Sequence, residues 1–144
     1  MFNDEQYKQE EILILTRRKD IHIIGKKNVY YLEGYNFEEN TDIKIEKFLQ
    51  RVKNNLTGVK FIDMTRLDIQ NIDLSIHTDL ECLICCSNEI VKFNSNLLPN
   101  SLIKLDCSSN KIEQLDNLPN GLKNLSCKKN KIILLNNLPN IQNI

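Results

Sequence analysis

The chain has 144 residues, one domain's worth, and its 19 basic and 19 acidic side chains leave no net charge to steer it toward nucleic acid or membrane. Its apolar runs, such as Ile12 to Leu15, fall far short of a membrane span, and the acidic start MFNDEQ lacks the basic and apolar regions of a secretory leader. Asn, Ile and Lys are abundant (20, 19 and 15) while Ala and Trp are absent, a skew that fits an AT-rich genome and concerns origin rather than activity.

Residues 1–58 do not repeat. After a short helix expected at Asp4 to Glu10, apolar runs at 12–15, 21–24 and 29–32 are separated by ArgArgLysAsp and GlyLysLysAsn, which reads as strands joined by polar turns. From Asp42 to Leu56 the residues Ile45, Phe48, Leu49, Val52 and Leu56 fall at helical spacing. Asn40, Thr41 and Asp42 offer that helix a start and Gly58 a stop. Its other face, with Lys44, Lys47, Arg51 and Lys53, reads as a solvated surface rather than a docking site. The region as a whole is expected to be an α/β cap, which an open solenoid needs.

Residues 59–144 repeat. Leu102 to Gly121 (LIKLDCSSNKIEQLDNLPNG) is followed at once by Leu122 to Asn140 (LKNLSCKKNKIILLNNLPN). The apolar positions keep their residue type while those between change freely, as expected if only the former are buried. Leu80 to Phe93 spells the same pattern and reaches Leu98-Pro99 after two extra residues. Val59 to Ile72 is a degenerate first unit with Leu67 in place of the asparagine, and Ile141 and Ile144 begin a truncated further one, a residue early.

The pattern LxxLxCxxNxIxxLxxLP resembles the leucine-rich repeat family, most closely the short Leu-Pro-containing repeats of secreted bacterial effectors and of giant-virus (mimivirus-like) leucine-rich repeat proteins. The resemblance implies an α+β fold: a right-handed leucine-rich repeat solenoid with a parallel concave sheet and the amino-terminal cap. Twenty residues are too few for a strand, a full helix and two turns, and Pro99, Pro119 and Pro139 fix φ and remove a donor, so the convex side is expected to be extended and polyproline-like. Alternation points Leu83 and Cys85, Leu105 and Cys107, and Leu125 and Cys127 inward. Asn88, Asn110 and Asn130 form a structural column that satisfies turn backbone.

The CxxC of Cys82 and Cys85 looks like half a zinc site, but on a strand those side chains point to opposite faces, and chelation needs convergence. Cys82 and Cys86 share a face but would lie about 13 Å apart at roughly 3.3 Å per residue, beyond disulfide reach. The five cysteines therefore read as free and mostly core-forming, which suggests a reducing compartment. No phosphate loop, HExxH or GxSxG is present, His22 and His77 stand isolated, and neither an enzyme nor a cofactor or metal site is expected.

Proteins of the resembled kind mostly bind other proteins, so function is expected on the concave face as protein–protein interaction, toward a host protein in the host cytoplasm if the source is viral. Parity nominates Phe61, Asp63, Thr65, Cys82, Ile84, Cys86, Lys104, Asp106, Ser108, Asn124, Ser126 and Lys128 as its partner-binding residues. The strip Phe61, Cys82, Ile84 and Cys86 is unusually apolar, which fits either a partner surface or cover by the amino-terminal segment. Residues 101–144 carry six lysines against Asp106, Glu113 and Asp116, and without interleaved aromatics this favours an acidic protein over nucleic acid. The alternative function is homotypic assembly, since Ile132, Leu135, Leu138, Ile141 and Ile144 are expected to leave an open apolar edge, a self-association surface for a homodimer.

Overall fold

The computed structural model describes residues 3–17, 26, 28–31, 45–47, 49–50, 58–93 and 95–144. They form stacked turns of short parallel strands. β1 (Ile12–Thr16), β2 (Val29–Tyr31), β3 (Phe61–Asp63), β4 (Cys82–Ile84), β5 (Lys104–Asp106) and β7 (Asn124–Ser126) make one six-stranded sheet in the order β2-β1-β3-β4-β5-β7. From β3 onward its strands recur every 20 to 22 residues, so each repeat contributes one strand and one turn of a β-solenoid-like coil.

Register explains the letters of the repeat. Leu13, Ile62, Leu83, Leu105 and Leu125 stand in one row across the sheet, all pointing inward and all buried. Each contributes roughly 1.5 to 3 kcal/mol on burial, and only the stack as a whole provides that burial. Met64, Cys85 and Cys107 form the next buried row. Leu67, in the degenerate first unit, fills the asparagine position as a fully buried apolar side chain.

The asparagine column works by reaching back one turn. Asn88 Oδ1 accepts from the Leu67 and Ile69 amides, while its Nδ2 donates to the Met64 and Cys85 carbonyls. Asn110 joins the Ile90 amide to the Cys85 and Cys107 carbonyls, and Asn130 joins the Ile112 amide to the Cys107 and Cys127 carbonyls. The residue before each column position (Arg66, Ser87, Ser109 and Lys129) sits in the left-handed region with φ between 55° and 59°. That turn is tight enough to need it, although no glycine marks it in the sequence.

The convex side differs from the expected polyproline-like limb. β6 (Gln114–Asp116) and β8 (Leu134–Asn136) pair in parallel as a second, two-stranded sheet, and Lys92 bridges to Gln114. The prolines do not prevent this because they lie beyond those strands. Pro99 and Pro119 sit in the turns that lead back to the main sheet, where their carbonyls accept from Leu102 and Leu122. Pro139 makes a shorter turn, accepting from Ile141, which is why the following unit starts a residue early. The two extra residues of the second repeat are taken up at a 3₁₀ turn, Ser95–Leu97.

The amino-terminal strands are continuous with the repeats: β1 pairs with β3 in register, Ile12 beside Phe61, and β2 flanks β1. Residues 45–47 and 49–50 are helical, with Ile45 and Leu49 buried in the repeat core. The expected helix at Asp4 to Glu10 is not formed: residues 4–7 make bends and turns, and a 3₁₀ turn at Gln9–Glu11 precedes β1. The run at 21–24, His22 and the remainder of the 42–56 segment lie outside the described residues.

Candidate functional site

The outer face of the six-stranded sheet carries all twelve side chains nominated by parity, and its two halves differ. Toward β1 the face is covered. Tyr7 lies over Ile12, Ile14, Phe61 and Cys82, with Val29 and Ile84 packed at the margin, and its ring centroid is 5.6 Å from that of Phe61. Phe61 and Cys82 are therefore buried rather than open to a partner, and of the two readings of the apolar strip, cover by the amino-terminal segment holds for this part of it. Cys82 and Cys85 do point to opposite faces, one under Tyr7 and the other into the repeat core.

Toward β7 the face is open. Cys86, Asp106, Ser108, Asn124, Ser126 and Lys128 line a groove of about 530 Å³, joined by Ser87, Lys129, Asn143 and Ile144. Its floor is tied down by short polar contacts: Ser108 Oγ lies 2.8 Å from Ser126 Oγ, and Asn143 Nδ2 donates to Asn124 Oδ1 at 2.6 Å. The carboxylates on this face are turned onto their own backbone. Asp63 accepts from the Thr65 amide and hydroxyl, and Asp106 from the Ser108 amide. Lys128 and Lys129 are exposed, and Ile84 sits half-buried where the covered and open halves meet. Asp63, Thr65 and Lys104 lie on the same face outside the groove lining.

Asn143 and Ile144 were not nominated for the groove. Parity within complete repeats misses Asn143, which enters the sheet by a bridge to Asn124. Tyr7 was missed because its contact with the face crosses more than fifty residues of sequence and follows no period.

The chemistry of the thiols is settled by burial. Desolvation pushes Cys85 and Cys107 well above the ordinary thiol range, Cys82 up to about 12, and raises Cys86 and Cys127 as well. Cys85 Sγ and Cys107 Sγ donate to the Asp106 and Ser126 carbonyls of the next turn, which suits neutral thiols. His77 is buried in the connection between β3 and β4, its carbonyl accepting from Leu80, and is not among the residues lining the groove. Among the described residues, no cluster of His, Cys, Asp or Glu is arranged to hold a metal ion, and no helix is long and apolar enough to cross a membrane.

At the far side of the stack the apolar surface is open. Ile133, Leu134, Leu135 and Ile144 are exposed, at 87, 45, 47 and 71%. Ile132, Leu138 and Ile141, also nominated for self-association, are instead partly buried against the core. Comparison with protein-family models, curated proteins and solved structures gives no match.

Proposed function

We propose that the chain is a protein-interaction module: a solenoid of leucine-rich repeat type, capped by residues 1–58, that binds a partner protein on the open half of its outer face. The observation that carries this reading is the convergence of Cys86, Asp106, Ser108, Asn124, Ser126 and Lys128 in one groove on a sheet whose reverse side carries the buried leucine row. Such a surface is rigid before binding, so little ordering entropy opposes association. The thiol that lines the groove, Cys86, is pushed up by burial, which favours binding over nucleophilic catalysis there. The exposed Lys128 and Lys129 favour an acidic partner, a host protein if the source is viral.

The test is affinity capture from host-cell lysate with wild type and with the double variant Ile84→Glu, Lys128→Glu, after circular dichroism has shown that the variant folds. A protein retained by wild type and lost by the variant is the expected result. Equal capture by both would remove the groove from the reading.

A second reading, homotypic assembly, rests on the exposed Ile133, Leu134, Leu135 and Ile144. Light scattering at tens of micromolar is its test, with Leu135→Asp as the variant expected to abolish association. A strictly monomeric wild type would remove it.

A further inference from the structure

The covered and open halves of the outer face form one continuous surface. Cys82 lies beside Lys104 in the sheet register, and Ile84 lies beside Asp106, so the apolar floor under Tyr7 runs directly into the groove. What divides them is the segment before β1. Its described residues form no strand, and it lies over the face through Tyr7, which is 8% exposed, and through Gln6, whose Oε1 accepts from Lys104 Nζ at 2.9 Å. Its flank is pinned by Asp4, paired with Lys26 at 2.8 Å.

The chemistry of this strap is that of a bound peptide rather than of a core element. It places one aromatic ring in a subsite floored by Ile12, Ile14, Phe61 and Cys82, with a side-chain oxygen on Lys104 beside it. The strap is also acidic, with Asp4, Glu5, Glu10 and Glu11 against Lys8. The cations along the rest of the face are Lys104, Lys128 and Lys129, set among Asp63 and Asp106, which accept from their own turns and keep their charge. The strap's ion pairs run to Lys26 and Lys60 while its contact with Lys104 is the neutral Gln6, so what matches the surface is an aromatic ring beside a side-chain acceptor.

We infer that the amino-terminal segment is an internal ligand of the outer face, and that the partner is a peptide segment whose aromatic side chain replaces Tyr7 and whose neighbouring side-chain oxygen takes over Lys104 from Gln6. This rests on the groove being the binding face and adds the class of partner and its regulation. Binding then competes with the strap, so affinity is set by the difference between partner and strap rather than by the partner alone.

Cys82, beneath Tyr7, reports the state of the strap, and Cys85 and Cys107, in the repeat core, report global unfolding. Site-resolved alkylation is expected to show Cys82 labelling faster by about tenfold or more in Tyr7→Ala than in wild type, because labelling follows the uncovered population. Cys85 and Cys107 stay protected. An excess of synthetic peptide carrying residues 3–11 restores protection of Cys82 in that variant, and the same peptide with alanine for tyrosine does not.

Cys82 staying protected in a folded Tyr7→Ala, or labelling unaffected by the tyrosine peptide, would overturn the inference. Should Tyr7→Ala expose Cys85 and Cys107 as well, Asp4→Lys takes its place. That change repels the Lys26 that pins the strap and leaves the surroundings of Cys82 unaltered, and it is expected to speed Cys82 labelling alone, with an unchanged rate overturning the inference. Since no partner enters this experiment, its failure leaves the capture test of the groove standing.

Discussion

The middle of the stack and its last turn are built from the same letters and reach different burial. In the turns carrying β4 and β5, Cys85, Cys107, Ile90 and Ile112 are almost wholly buried, and Leu115 has no exposed surface. One repeat later Cys127 and Ile132 are only partly buried, and Leu135, equivalent to Leu115, is 47% exposed. The difference teaches that burial in this fold belongs to the neighbour. A turn supplies the apolar side chains, and the next turn removes them from water, as expected of a quasi-one-dimensional stack.

The sharpest way to break that comparison is to truncate equivalent leucines. Leu115→Ala is expected to cost about 2 to 5 kcal/mol, because it opens a cavity among fully buried neighbours. Leu135→Ala is expected to cost about 0.5 kcal/mol or less, since half of its side chain already meets water. Chemical denaturation of both variants measures the pair, and equal losses would mean that the last turn is as well packed as the middle.

The asparagine column gives the next largest effect. Asn110→Ala strands the Ile90 amide and leaves the Cys85 and Cys107 carbonyls only the donors from Asn88 and Asn130, and is expected to lower stability by about 1 to 3 kcal/mol. Asn130→Ala disturbs an equivalent set closer to solvent, so water replaces part of the loss and the cost is smaller. Denaturation midpoints that rank the two in the opposite order would contradict the burial gradient.

The thiols sharpen the comparison through pH. Their folded pKa values are raised above the ordinary value of 9.0, so the folded state holds protons that the unfolded state has already lost. The stability they contribute is fully present below about pH 9 and is lost as pH rises toward the folded values, near 12 for Cys82. Each such thiol takes away about 1.4 kcal/mol per pH unit over that window. Stability measured from pH 8 to pH 10.5 should fall, and Cys107→Val should flatten the slope while Cys127→Val changes it less. A slope unaffected by Cys107→Val would place that thiol in water.

The smallest effect concerns the left-handed turns. Ser109, at φ 56°, gains from glycine the relief of its backbone strain and loses little else, so Ser109→Gly is expected to be neutral or stabilising by a few tenths of a kcal/mol. Ser109→Val at the same position should be clearly destabilising, since a β-branched residue resists that region. Thermal unfolding of the two variants checks the sign.

Much of this organisation is legible in the letters. The inward row of leucines and cysteines, the asparagine column, the degenerate first unit and the early start at Ile141 all follow from spacing, because a repeat states the same packing demand several times. What the letters conceal is whatever occurs once or needs a partner far away. Tyr7 is a single aromatic in a polar stretch, and only the folded chain brings it over Phe61 and Cys82. The prolines suggested an extended convex limb, but a proline forbids a ladder bond only at its own nitrogen, and β6 ends at Asp116, before Pro119. β1 and β2 join the repeat sheet without repeat spelling, since pairing asks for backbone and register rather than for particular side chains.

The claim at the centre of this description is that the outer face is half covered and half open, and the five native cysteines test it without any substitution. Site-resolved alkylation of the native protein is expected to label Cys86, which lines the open groove, and Cys127 first, with Cys82, Cys85 and Cys107 protected together. Cys82 labelling as fast as Cys86, while Cys85 and Cys107 stay protected, would show the face uncovered along its whole length and contradict the division.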